Sequence, residues 1–134
     1  MTLLVDTSVW SLALRRDLAP DVPEVAALKQ ALTSGQAIVA TGLVLQELLQ
    51  GFTGPKQAVS LIERFRSLPM VMPDRQDHIA AASLRNVCRR RGIQTGTIDA
   101  LLAQLCVRHG LTLLTTDGDF THMARVEKAL KLWG

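Results

Sequence analysis

A chain of 134 residues with 48% hydrophobic content is long enough to bury a core in one domain, spanning 1–134, and is too ordinary in composition to be disordered, fibrous or repetitive. No apolar run approaches the roughly 20 residues that span a bilayer; the start MTLLVD has no basic segment and reaches an aspartate at position 6, so a cytoplasmic protein without a membrane partner is expected. The net charge of +3, with a pI near 9.3, permits a nucleic-acid partner without demonstrating one.

Thr2-Leu3-Leu4-Val5 is apolar, too short for a helix and stopped by Asp6, so it reads as a buried strand. Thr7 or Ser8 can cap a helix running to about Arg15. The segment Ala19-Pro20-Asp21-Val22-Pro23 breaks the chain before a second helix, roughly 24–33, which Ser34-Gly35 ends. Ala37 to Ala40 is a second strand. Thr41 then caps a helix to about Phe52, with Leu45, Leu48, Leu49 and Phe52 at helical spacing. Gly54-Pro55 interrupts it, and another helix runs to about Ser67. Met70-Val71-Met72, bracketed by Pro69 and Pro73, reads as a short edge strand. Asp74 caps a helix to about Arg91, 92–96 is a loop, and Thr97 to His109 is a helix apolar nearly all round. Gly110 stops it. Leu111 to Thr115 is a strand, about 120–127 a short helix, and about 130–133 a closing strand. Short apolar strands alternating with helices predict a three-layer α/β domain, with a central, mainly parallel sheet of about five strands flanked by helices. Ligand sites in such sheets lie beyond the carboxyl ends of the strands.

Four acids occupy unusual places against that rule. Asp6 ends the first strand, where it could equally cap the next helix. Asp117 follows the strand 111–115 in LLTTDGDF, where Asp-Gly is also an ordinary turn. Glu47 sits in an apolar helix among Leu43, Val44, Leu48 and Gly51, and an unpaired buried carboxylate is expensive. Asp99 opens TIDALLAQLCV, a helix with almost no polar face; the helix dipole alone favours an acid there only by ~0.3–1 kcal/mol. Each placement has a benign account, but the four together do not. Crowded carboxylates repel, and a divalent cation makes such a cluster tolerable. All-oxygen ligation suits Mg²⁺ or Mn²⁺. One ion can acidify a water, and a second, ~3.5–4 Å away, can stabilise a leaving oxygen in phosphoryl displacement.

Other chemistry is poorly represented. Cys88 and Cys106 have no ligand spacing and read as buried, inert thiols. His78, His109 and His122 are scattered and read as structural or surface residues. Arg85, Arg89, Arg90 and Arg91 fall within seven positions and suit either a solvated helix end or a nucleic-acid backbone; Arg15 and Arg16 form a smaller pair. Aromatic platforms for base stacking are scarce, and Trp10, four residues after Asp6, is expected in the core rather than flanking a pocket.

VDTSVW at the start, LVLQELLQGF in the middle, TIDALLAQLC later and LLTTDGDF near the end resemble the four acidic motifs of the PIN-domain ribonucleases, and more narrowly of the VapC toxins. The resemblance covers essentially the whole chain in motif order, spacing and size. It implies that Asp6, Glu47, Asp99 and Asp117 are the catalytic quartet holding one or two Mg²⁺ or Mn²⁺ ions, with Asp119 a fifth acid. It also implies supporting roles for Thr7 or Ser8 after the first acid and for Thr115 before the last. The implied activity is endoribonucleolytic cleavage of RNA, often transfer or ribosomal RNA, by a homodimer that a cognate antitoxin neutralises.

Two rival readings stay open from the residues. One is a housekeeping PIN nuclease that processes RNA; the other is a non-catalytic module binding RNA or protein through the same fold, against which the intact quartet speaks. An aspartyl phosphatase would need an acid two positions after Asp6, where Ser8 stands.

Overall fold

The strand β1 (Leu3–Val5) lies inside a four-stranded sheet of order β2-β1-β3-β4, with β2 (Ile38–Val39), β3 (Thr112–Leu114) and β4 (Lys131–Leu132). The computed structural model describes residues 1–15, 21–51 and 54–134; Arg16, the Ala19-Pro20 break and Phe52 lie outside the described residues. All three strand pairings are parallel, and Val5 stands beside Leu114. Successive strand residues point to opposite faces, yet Leu3, Leu4 and Val5 are all buried, as are Leu113 and Leu114. Both faces of the sheet are therefore covered, which is why these strands read as unbroken apolar runs.

Among the described residues seven helices connect and cover the strands: α1 (Thr7–Ala13), α2 (Pro23–Ser34), α3 (Gly42–Gly51), α4 (Pro55–Arg66), α5 (Arg75–Arg90), α6 (Thr97–His109) and α7 (Asp119–Val126). α1 packs against α2 and α3, α5 runs along α6, and α6 and α7 lie against β3 and β4. Local chemistry sets most boundaries. Pro23 and Pro55 open α2 and α4, where a missing N–H costs nothing. Thr41 caps α3 by accepting the Val44 N–H at 3.1 Å. Gly35 and Gly110 end α2 and α6 at φ 75° and 64°, a region that a Cβ disfavours. Trp10 is buried, with its ring centroid 5.0 Å from that of Phe65.

Two expectations need correction. The segment 70–72 is not a strand: Ala40 and Met70 make one isolated parallel bridge, so the described sheet has four strands rather than five. The Ala40 N–H donates to Pro69 O and the Val71 N–H to Ala40 O, each at 2.8 Å. Pro73 then has no N–H to extend the ladder. Neither Thr7 nor Ser8 caps α1; Asp6 occupies the N-cap position, and its side chain makes no capping bond. That carboxylate is used elsewhere.

Candidate active site

The chain runs from β1 to β2 on one side of the sheet and returns to β3 on the other, so β1 and β3 flank the switch point. Asp6 follows β1 directly and donates its backbone N–H to Leu114 O at 2.9 Å. This bond sets Asp6 beside Thr115, the residue after β3. The first and last acidic stretches thus meet at one rim.

Their side chains are wired together by hydroxyl groups. Ser8 Oγ and Thr115 Oγ1 both donate to Asp6 Oδ2, at 2.8 and 2.9 Å. Ser8 Oγ in turn accepts the Thr116 N–H at 3.1 Å, and Thr115 Oγ1 accepts the Asp117 N–H at 3.0 Å. The Asp119 N–H donates to Asp117 Oδ1 at 2.9 Å. Both hydroxyls fall on one oxygen of Asp6, which leaves Oδ1 unshared among the described residues. In the turn itself, Thr115 holds Asp117 and Asp117 holds Asp119, each by accepting a backbone N–H two positions on. The Asp-Gly turn aims carboxylates.

Glu47 joins from α3. Its environment is half-buried, as an acid among aliphatic neighbours should be, and Thr7 Oγ1 donates to its Oε1 at 2.9 Å. Asp99 enters from the first turn of α6, also half-buried. Its pKa is raised from 3.8 to about 6, first by burial and then by the charges of Asp6, Asp117, Glu47 and Asp119. The other four carboxylates therefore lie near enough for their charges to act on Asp99. Among the described residues none of the five forms an ion pair with the protein. A cluster of anions that no ion pair neutralises among the described residues is a site for an external cation.

The donor set is all oxygen, which fits Mg²⁺ or Mn²⁺ and no softer metal. Among the described residues no three of these acids close into a ready-made cage. That is compatible with Mg²⁺, which keeps several waters and binds through one or two carboxylates plus substrate phosphates. The residues fit the ion.

Asp99 gives a direct test of the shared charge. The folded protein holds its proton more tightly than the unfolded chain, so this group disfavours the metal-free fold above about pH 6 and ceases to do so below about pH 4. The carboxyl is half-exposed and partly screened, so we expect Asp99→Asn to stabilise the metal-free protein at pH 7.5 by only roughly 1 kcal/mol, or a few degrees of Tm. The gap should narrow as pH falls towards 5. Equal melting of wild type and variant in EDTA at pH 7.5 would mean that the acids do not share a field.

The remaining candidates divide. Arg85 is half-buried and Arg89 exposed; both line a cavity of about 710 Å³ that Asp99 and Asp119 also line. Arg90 and Arg91 are exposed and stand outside that lining. His78, His109 and His122 are all exposed, and Cys88 and Cys106 are buried. Burial, with the Asp6 charge, pushes the Cys106 thiol up to about 12, so it is an inert packing group. Sequence reasoning missed Thr95, a buried residue of the same cavity, because nothing in GIQTGT marks that threonine for burial.

Residues 3–126 match the family described as the PIN domain. The chain is 30% identical over 127 residues to Ribonuclease VapC11 of Mycobacterium tuberculosis, covering 92% of each, and equally similar to a VapC ribonuclease of Mycobacterium bovis. Among solved structures, VapBC2 from Rickettsia felis, bound to a DNA fragment from its promoter, superposes with a TM-score of 0.76 at 22% identity, covering 99% of this chain and 98% of that one. The sarcin–ricin-loop-cleaving toxin VapC20 of Mycobacterium tuberculosis gives 0.66 at 19% identity, covering 89% and 92%. At these identities the structural matches speak for the fold alone.

Proposed function

The chain belongs to the PIN-domain family and, within it, to the VapC ribonucleases, and from that premise we propose that it is an endoribonuclease acting as the toxin of a VapBC-type toxin–antitoxin pair. The observation that carries this reading is the convergence of Asp6, Glu47, Asp99, Asp117 and Asp119 on one rim, held by hydroxyls and, among the described residues, without an ion pair to the protein. Asp6, Glu47, Asp99 and Asp117 would hold Mg²⁺ or Mn²⁺, one ion or two, with Asp119 as a further ligand or an orienting group. When bound, the ion supplies positive charge to phosphoryl oxygens and acidifies water for attack on the phosphodiester. Thr7, Ser8 and Thr115 fix the carboxylates, each occupying one oxygen and leaving the other free to point at the ion.

The substrate is RNA, with transfer or ribosomal RNA the expected target. The protein acts as a cytoplasmic homodimer of single PIN domains, and a cognate antitoxin blocks it. Among the described residues no helix is long and apolar enough to cross a membrane. Transcriptome-wide sequencing of RNA ends after expression of wild type beside Asp6→Asn tests catalysis and identifies the substrate together. New ends should appear only with wild type, and growth arrest should be relieved by the co-expressed antitoxin. A housekeeping nuclease would produce ends without arrest. In vitro, EDTA should abolish cleavage and Mn²⁺ or Mg²⁺ restore it. Saturation at about 100 times Kd should also stabilise the fold by about 2.7 kcal/mol. Full activity in EDTA would eliminate the metal mechanism.

A further inference from the structure

The cavity beside the carboxylates is lined by both signs of charge: Asp99 and Asp119 on the one hand, Arg85 and Arg89 on the other. Arg85 Nε donates to Thr95 O at 2.8 Å, which ties the side chain to the 92–96 loop. Its two terminal nitrogens have no partner among the described residues. Arg89 donates through Nη2 to the exposed Asn86 Oδ1 at 3.0 Å, and neither arginine makes an ion pair among the described residues.

Two further features border the same cavity. Thr95 lines the cavity at 8% exposure, and its hydroxyl is buried without a hydrogen-bond partner, a costly state for a polar group. The next residue, Gly96, is the N-cap of α6 and offers no side-chain cap. The N–H groups of Thr97 and Ile98 are therefore unclaimed among the described residues. Of that amino end, Gly96 and Asp99 line the cavity, so the positive end of a thirteen-residue helix borders it.

The terminal nitrogens of Arg85, an Arg89 bonded only to an exposed asparagine, an orphan hydroxyl and a helix amino end are donors suited to an anion with several oxygens. Phosphate is that anion: arginine matches its geometry bidentately, and helix amino ends bind it by backbone N–H and dipole together. The adjoining carboxylates explain the need. RNA is a chain of phosphates, and a site built of five acids repels every phosphate that is not facing a metal ion.

We propose that Arg85, Arg89, Thr95 and the amino end of α6 form a subsite for a phosphate flanking the one that is cleaved. The strand is then held at two consecutive points of opposite electrostatic character, and the spacing between them selects the bond presented to the carboxylates. This subsite rests on the ribonuclease reading given above.

The test uses a short RNA containing the mapped cleavage site, with each phosphate replaced in turn by a neutral methylphosphonate. For wild type, one flanking replacement should lower kcat/KM by about 10- to 100-fold, mainly through KM. Arg89→Gln should lower kcat/KM on unmodified RNA by a similar factor, and in that variant the same methylphosphonate should cost nothing more. Thr95→Val should give a smaller loss that is also not additive with that replacement. An equal methylphosphonate penalty in wild type and Arg89→Gln would overturn the subsite, as would indifference of wild type to every flanking replacement. Either result leaves the ribonuclease reading standing. Failure of wild type to cleave any RNA with Mn²⁺ would overturn both.

Discussion

Asp6→Asn is expected to reduce RNA cleavage by about 10³-fold or more, equivalent to roughly 4 kcal/mol of transition-state stabilisation. The substitution changes one oxygen to an amide nitrogen and removes the charge that draws the ion to the end of β1. The fold should survive it. Asp6 is only 6% exposed, but an amide has the same shape, and its carbonyl can still accept from Ser8 or Thr115. Removing one negative charge also relieves the repulsion felt by Asp99. Tm in EDTA should therefore hold within a few degrees while single-turnover cleavage with Mn²⁺ collapses. A variant that folds and cleaves at the wild-type rate would remove Asp6 from the site.

Thr7 separates geometry from charge at the same rim. Its hydroxyl holds Glu47 across from α1 to α3. Without it Glu47 keeps its charge but loses one of the bonds that orient it. Supporting groups of this kind act through the ligand they position, and their removal is felt far less than removal of the ligand itself.

Much of this arrangement was legible in the residues. Unbroken apolar strands, proline and glycine punctuation and an apolar helix at 97–109 were enough to predict a covered parallel sheet. The rule that sites lie at strand ends then singled out Asp6 and Asp117. Glu47 and Asp99 drew notice because apolar helices do not spare positions for idle carboxylates. What could not be read was pairing at long range. The bonds from Thr115 to Asp6 and from Thr7 to Glu47 join residues 109 and 40 positions apart, and no local pattern encodes them. Segment 70–72 misled for the opposite reason: β-branched and apolar residues between prolines look like an edge strand, but two prolines leave room for one bridge only. Asp77 stayed hidden too. It lies in a polar stretch, Arg75-Gln76-Asp77-His78, yet it is fully buried.

Arg108→Ala should be the most destabilising single change outside the apolar core, because it strands the Asp77 carboxylate. Asp77 Oδ2 accepts the Asp74 N–H at 2.9 Å, completing a capping box for α5, and takes Arg108 Nη2 at 2.7 Å. Its other oxygen accepts Gln104 Nε2 at 3.3 Å. Burial alone would raise the pKa of Asp77, but the Asp74 N–H, Arg108 and Gln104 together hold it below the ordinary value of 3.8. In the wild type its contribution is thus present above about pH 4 and lost as the pH falls through the depressed folded-state value. Without Arg108 the balance reverses: a carboxylate with no exposed surface keeps its desolvation cost and loses its cation. Breaking a buried pair in this way costs about 3–5 kcal/mol; because Arg108 is about a third exposed we expect roughly 3, or about 10 °C of Tm at pH 7.5. The deficit should shrink on acidification towards pH 5, since protonation discharges the stranded group. Arg108→Lys should fall between, restoring charge without the fork that also reaches Met72 O and Asp74. A loss below 1 °C, or one independent of pH, would show that Asp77 does not depend on this partner. The consequence reaches the site, because the pair fixes the register of α5, which bears Arg85 and Arg89, against α6, which bears Asp99 about 13 Å away along its axis. If this pair holds both walls of the cavity, Arg108→Ala should also raise KM for RNA at temperatures where the variant is fully folded.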